Sequence, residues 1–256
     1  MQTDWSAVGN QAGTGTWYVI AIALPLVFVA LLVFFVLRAL ARQRRYRAVS
    51  LLGDEDHRAV HAALADAERK TVGEILPVVV ERSDPHPGAE WLAALSFVIV
   101  GSSALLAWMP WRDPLALLGA QVVLGALGFG LARWLPDFKR LFIFENRATA
   151  VAEEQAFQEF FANGLHKTEA ATGVLLFVSL LERRVVILAD DGIDATVDAE
   201  FWADTDDAIL DGIRRGSLRD GLIAGVRRVG DLLSDRFPWR QGDRNEIPDR
   251  LIVRRQ

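Results

Sequence analysis

The segment Thr172-Gly-Val-Leu-Leu-Phe-Val-Ser-Leu-Leu-Glu-Arg-Arg-Val-Val-Ile-Leu-Ala-Asp190 decides the fold. It contains two short apolar runs, Gly173 to Leu180 and Arg184 to Asp190, separated only by Leu181, Glu182 and Arg183. A link that short joins antiparallel strands, and runs without polar alternation belong to strands covered on both faces. The segment therefore predicts a β-hairpin inside a layered domain.

Working outward, the apolar period becomes that of helices. Glu145 to Asn163 places Ala148, Val151, Ala152, Phe157, Phe160 and Phe161 on most of one face and ends at Asn163-Gly164, a left-handed stop. Downstream, Ala199 to Arg215 carries Phe201, Trp202, Ile209 and Ile213 and ends at Gly216. Ser217-Leu-Arg-Asp220 is a capping-box variant opening one more helix, with Leu222, Val226, Val229 and Leu233, that stops before Pro238. Upstream, His57 to Lys70 reads as a helix capped by Asp54 or Asp56, with Val60, Leu64 and Ala67 at helical spacing. Glu74 to Val80 then reads as a strand that Pro77 demotes to an edge or bulge position. A strand so short is not stable alone, so it is expected to join the sheet of residues 173–190. Strands mixed with covering helices predict an α/β or α+β sandwich, of which the α/β form, a sheet flanked by helices, is the one expected.

The two parts of this domain are separated by apolar sequence. Leu92 to Met109 and Leu115 to Ala132 contain no Asp, Glu, Lys or Arg, and neither does Trp17 to Leu37. A bilayer core of about 30 Å takes about 20 apolar residues at about 1.5 Å rise, so the first stretch spans comfortably and the other two narrowly. The N-terminal stretch lacks a basic leader and is followed by Arg rather than a small-residue cleavage site, so it is read as a retained helix. The expected organisation is an extracytoplasmic tail over 1–16, a transmembrane helix over 17–40, and a transmembrane hairpin over 91–134 inserted in an α/β domain made of 54–82 and 137–256.

Basic residues give the orientation. Residues 1–16 have none, whereas Arg38, Arg42, Arg44, Arg45 and Arg47 follow the first span, and Arg133, Lys139, Arg140 and Arg147 follow the third. Such flanks stay cytoplasmic, which predicts a multi-pass inner-membrane protein with its N-terminus outside and its α/β domain in the cytoplasm. No ionisable residue lies inside a span, which argues against a channel or pump.

Composition fits this division. The 256 residues are 52% hydrophobic yet 24% charged, which argues against a disordered chain and against a wholly soluble enzyme. The chain has no Cys, so it has no disulfides, thiolate zinc sites, iron–sulfur clusters or cysteine nucleophile. A net charge of -5 makes nucleic acid an unsuitable partner. The partners expected are the lipid bilayer and another membrane or membrane-associated protein.

The string from Thr172 to Ile193, with Trp202, Gly221-Leu-Ile, Gly230 and Phe237-Pro238, resembles the TPM-domain family. The arrangement Lys70-Thr-Val-Gly-Glu74-Ile before a transmembrane hairpin, and the ending Asn245-Glu246-Ile-Pro248-Asp249-Arg250-Leu251, resemble its bacterial membrane-bound form. The resemblance implies a central sheet flanked by helices, and an acidic cleft that in some members binds a divalent cation such as calcium. Some plant members are credited with acid phosphatase activity. The additional N-terminal span and the predicted cytoplasmic domain depart from the family pattern.

For a metal, the candidate ligands are Asp190 and Asp191, where a strand ends, then Glu182 in the hairpin turn and Glu74 before its strand. Acids at such junctions equally cap helices and solvate turns. No EF-hand spacing is present, and Asp204, Asp206, Asp207 and Asp211 read as a solvated helix face. His57 and His61 share a helix face but lack the Glu of a metalloprotease and a third ligand. No residue is assigned as catalytic. A non-catalytic binding or assembly role is favoured, with a metal-dependent phosphatase as the alternative.

Overall fold

A computed structural model describes Phe34, Leu37 and residues 52–108, 114–242 and 244–254. The expected N-terminal tail, nearly all of the first span and its basic flank lie outside the described residues, as does the turn at 109–113. The chain divides into two compact units, one containing residues 86–142 and the other residues 44–85 and 143–256.

The larger unit holds a four-stranded sheet of order β3-β2-β1-β4. Its strands are β1 (Glu74–Val80), β2 (Gly173–Ser179), β3 (Arg184–Ala189) and β4 (Ile252–Arg254). β2 and β3 form the expected antiparallel hairpin, with Ser179 opposite Arg184. β1 runs parallel to both of its neighbours, with Glu74 opposite Gly173 and Val78 opposite Ile252.

Strand alternation sends successive side chains to opposite faces, and each face has its own helices. Leu76, Val78, Val80, Leu175 and Phe177 pack with Ala152, Ala156 and Phe160 of α5 (Glu145–Ala162) and with Leu165. Ile75, Val79, Val174, Leu176 and Val178 meet the other face's helices, α1 (Asp54–Glu68), α7 (Ala199–Arg214) and α8 (Leu218–Arg236). Val60, Leu64, Ile209, Leu222, Val226, Val229 and Leu233 complete that layer, all fully buried. At about 1.5–3 kcal/mol for each buried aliphatic or Phe side chain, these two layers are the main source of stability.

Local structure differs from expectation at four places. Helix α1 is capped by Gly53, whose N–H donates to Asp56, so Asp56 is the partner of the cap rather than the cap. On α5, Phe157 and Phe161 are exposed while Ala156 and Glu159 are buried, because the helix turns its narrower side to the sheet. A one-turn helix α6 (Asp191–Asp194) follows β3, and β4 adds a strand with no sequence forecast.

Fourth, β1 is internal, although Pro77 favours an edge. The hydrogen bonds of the strand resolve the conflict. Glu74 and Val80 bond towards β2, so even-numbered residues face β2 and odd-numbered residues face the other side. There, Glu81 N–H donates to Arg254 of β4, and Ile75 N–H donates to the Glu68 carboxylate. Pro77 lies between them, before β4 begins, at the one point where a missing N–H leaves nothing unsatisfied.

The second unit is a helical hairpin of α2 (Pro87–Trp108) and α3 (Pro114–Trp134), followed by α4 (Pro136–Arg140). Ala93, Phe97, Ala132, Leu135 and Phe138 form its core, and the Gly128 backbone meets the Ala93 carbonyl. At its base Lys139 donates to Glu90 at 2.9 Å, both buried. Pro87–Leu105 and Pro114–Trp134 have mean hydropathies of 1.5 and 2.0 and are long and apolar enough to cross a membrane.

Helices α7 and α8 meet backbone to backbone. A Cβ on Gly212 would lie 2.3 Å from the Gly221 Cα, and one on Gly221 would lie 2.5 Å from the Ile209 carbonyl oxygen. Gly212→Ala is therefore expected to cost about 1–3 kcal/mol by overpacking, read as a lowered Tm. An unchanged Tm would mean that the helices separate freely.

Candidate functional site

The sheet has two rims, and the four acids of the expected metal set do not share one. Glu74 N–H donates to the Thr172 carbonyl at 3.2 Å, and Asp190 N–H donates to the Gly173 carbonyl at 2.9 Å. Glu74 and Asp190 thus sit at the rim where β1 and β2 begin, on either side of β2. Asp191 is beside Asp190 and exposed. Glu182 is at the opposite rim, in the turn that pairs Ser179 with Arg184.

Glu182 is fully buried and serves the backbone. It accepts a short hydrogen bond from Ser179 Oγ and one from Ser83 N–H at 3.1 Å. Ser83 Oγ in turn donates to Ser179 Oγ at 3.0 Å. Its carboxylate ties the segment leaving β1 to the β2–β3 turn. Asp190 is likewise engaged locally. Its Oδ1 accepts the Asp191 N–H and caps α6, while Oδ2 is buried with no hydrogen-bond partner.

Around Glu74 the structure gathers acids that composition and spacing do not single out. Glu74 is buried, and its Oε1 accepts the Glu246 N–H at 2.8 Å while Oε2 has no partner. Glu68, from the end of α1, gives Oε1 to Ile75 N–H at 3.1 Å and lies against Asp249. Glu246 accepts the Glu169 N–H, and Asp249 accepts from Asn245. Burial pushes the Glu68 carboxyl up to about 9, aided by Asp249, and burial pushes Glu74 up to about 7 despite the main-chain N–H groups of Glu246 and Ile247. Glu68 and Glu74 are thus held at least partly protonated at neutral pH.

This corner and the rim also bear on a metal. Calcium takes six to eight oxygens. Glu74, Glu68, Glu246, Glu182 and Asp190 each already present an oxygen to an N–H or O–H donor. Among the described residues no three His, Asp or Glu side chains are grouped to hold a metal ion. Glu182, at the opposite rim, does not converge with Glu74, Asp190 and Asp191 on one centre.

Elsewhere, Asp206 departs from the solvated face expected for its helix. Burial, then Asp207, raises its carboxyl to about 6, and its Oδ1 has no partner. Asp204 instead pairs with Arg228 at 3.3 Å.

A sheet covered by helices on both faces, with acids concentrated at one rim, is the class of domain defined here. Residues 140–232 match the family model described as TPM domain. The match contains β2, β3, α5, α7 and most of α8, and with them Glu182, Asp190 and Asp191; the corner of Glu68, Glu74, Glu246 and Asp249 lies outside it. Among solved structures, the BA42 protein from the psychrophilic bacterium Bizionia argentinensis shares the fold with a TM-score of 0.51 at 20% identity, covering 81% of this chain and 99% of BA42. No curated protein matches the chain.

Two outcomes are expected. Glu182→Ala leaves the Ser83 N–H and Ser179 Oγ without their acceptor, at about 1–3 kcal/mol for each orphaned donor, measured by thermal melting. For Glu74, a carboxyl raised to about 7 binds a proton in the folded chain that the unfolded chain has lost. Its stabilising contribution is present at pH 4 and declines as pH rises through about 4.5 to 7. The Tm should fall across that window, and Glu74→Gln should flatten the fall; equal slopes would show that another group titrates.

Proposed function

We propose that this chain is a membrane-anchored binding protein: the α2–α3 hairpin spans the inner membrane and holds the TPM domain at its cytoplasmic face, where it engages another membrane-associated protein. The observation that carries this reading is the surface of the hairpin. Leu95, Ile99 and Val100 on α2 and Leu118, Val122, Val123 and Leu127 on α3 are exposed. In water this would be an apolar face without a partner, whereas in lipid it is solvated along its length. At about 1.5 Å per residue both helices reach about 30 Å, the thickness of a bilayer core.

Support for binding over turnover comes from the acids. Those at both rims are engaged with N–H and O–H donors of their own chain, and the hydroxyl that meets Glu182, Ser179 Oγ, is fully buried with it, out of reach of a substrate. The TPM family includes phosphatase-like members, but nothing in this geometry favours that reading over the other.

The lack of Cys makes a direct test available, since single cysteines can be labelled in the full chain. In intact cells an impermeant maleimide is expected to label Asp113→Cys, between the two helices, and to label Gln241→Cys only after permeabilisation. Alkaline carbonate should leave the protein in the membrane pellet. Labelling of Gln241→Cys in intact cells, or release by carbonate, would overturn the reading.

A further inference from the structure

The α2–α3 hairpin has a groove along one side. It has a volume of about 660 Å³, is floored by Ala94, Gly125 and Ala126, and is almost wholly apolar. At the end nearest the start of α2, Trp91 meets Phe129 edge to face, with ring centroids 5.2 Å apart. One residue departs from this pattern. Gln121 lines the groove, half-buried, and its amide makes no hydrogen bond to a described residue. Ser96 and Ser103 of α2 instead donate to the Leu92 and Ile99 carbonyls of their own helix. In hydrocarbon an amide without a partner is costly.

The N-terminal apolar stretch, Trp17 to Leu37, carries the complementary defect. Pro25 has no N–H, so a helix running through it leaves the Ala21 carbonyl without its main-chain donor. The stretch has no Ser or Thr to satisfy that carbonyl, which leaves the task to a neighbouring helix. The two groups share a depth. Both spans end on a basic residue, Arg38 in one and Arg133 in the other, so they cross in the same direction. At about 1.5 Å per residue, Pro25 is about 3 Å before the middle of 17–37, and Gln121 is about 4 Å before the middle of 115–132. Leu37 is helical and exposed, and at about 100° per residue it stands about 120° round from Pro25, so the exposed side is not the proline side.

We propose that residues 17–37 lie in this groove as a third helix, parallel to α3, with the Gln121 amide donating to the Ala21 carbonyl. The inference rests on the membrane-spanning reading of the hairpin and adds what covers one side of it. The small residues of the floor let a helix approach closely. A lipid chain filling the groove would leave both the amide and the carbonyl unpaired. A second copy would compete only at its concentration in the membrane, whereas the N-terminal stretch is tethered to the groove by its own chain.

The test is disulfide linking of the full chain in native membranes, which is direct because the chain has no Cys of its own. A protease site inserted after Ala48 lets the two fragments stay together only where they are linked. Val29 and Leu32 stand within about 40° of Pro25, at the depths of Ala126 and Leu95 of the groove, whereas Ala30 stands about 140° away. Val29→Cys with Ala126→Cys, and Leu32→Cys with Leu95→Cys, are expected to link within one chain. Ala30→Cys with Ala126→Cys should link at least about tenfold less, because a disulfide needs its two Cβ atoms close and facing. In mild detergent, Gln121→Leu should slow linking about threefold, the effect of one interhelical hydrogen bond. Pro25→Ala restores the main-chain bond to Ala21 and should remove that dependence. Links between two chains, no link in either pair, equal linking from Ala30→Cys, or a Gln121→Leu effect that persists alongside Pro25→Ala would each overturn the proposal. A chain that stays in the carbonate pellet but does not link loses only the docking; one that carbonate releases loses the membrane reading as well.

Discussion

The parallel pairing of β1 with β2 is the constraint on which the rest of this molecule depends. Parallel neighbours need a crossover connection, and here the crossover contains the apolar hairpin as well as α5. The chain leaves the sheet after Val80 and re-enters at Gly173 in strict register, Glu74 opposite Gly173 through to Val80 opposite Ser179. A one-residue slip would move Leu76, Val78 and Val80 from one core layer to the other. Whatever the hairpin does must preserve that register.

Acidic side chains secure the ends of the strands. Glu182 ties the exit from β1 to the β2–β3 turn, Asp190 caps the helix after β3, Glu68 accepts the N–H that β4 is too short to reach, and Glu159 holds the last arginine of β4. A single explanation covers the first three: a sheet whose strands differ in length leaves main-chain donors at its corners, and buried donors need acceptors. Burial, and after it the neighbouring acids, then raise the carboxyls where such acceptors meet, as at Glu68 and Glu74. The acidity of the rim is thus first a feature of the fold.

The layers of the domain were legible because each element declares its own period. Gly173–Ser179 and Arg184–Ala189 are unmistakable as strands, although only the first is buried throughout and the second, at the sheet edge, is half-buried apart from Val185; Val60, Leu64, Leu222, Val226, Val229 and Leu233 mark the inward faces of α1 and α8. Other features were hidden for physical reasons. Ile252–Arg254 is too short to show alternation, and Arg250 before it and Arg254 at its end read as solvent-facing. Phe157 and Phe161 looked like core because aromatic residues at helical spacing usually are, yet the smaller Ala156 is what fits against the sheet. The site was half legible. Glu74 and Asp190 could be placed at a strand end from order alone, but the meeting of Glu68 with Asp249 joins two distant segments through tertiary contact. A carboxylate in a hairpin turn and one at the end of a helix look alike in sequence, and only burial distinguishes Glu182 from its exposed neighbour Arg183.

Pro77 has a consequence beyond satisfying the local hydrogen-bond count. An uncovered strand edge is a template on which foreign strands can stack. Because the ring removes one donor from the β4 side of β1, and the Glu68 carboxyl occupies the next at Ile75, an intruding strand would find a ladder only from Val78 onwards. That length suits the protein's own three-residue strand and is too short to seed aggregation. The same proline that makes β1 look like a poor central strand keeps the part of its edge that β4 leaves uncovered from offering a continuous ladder.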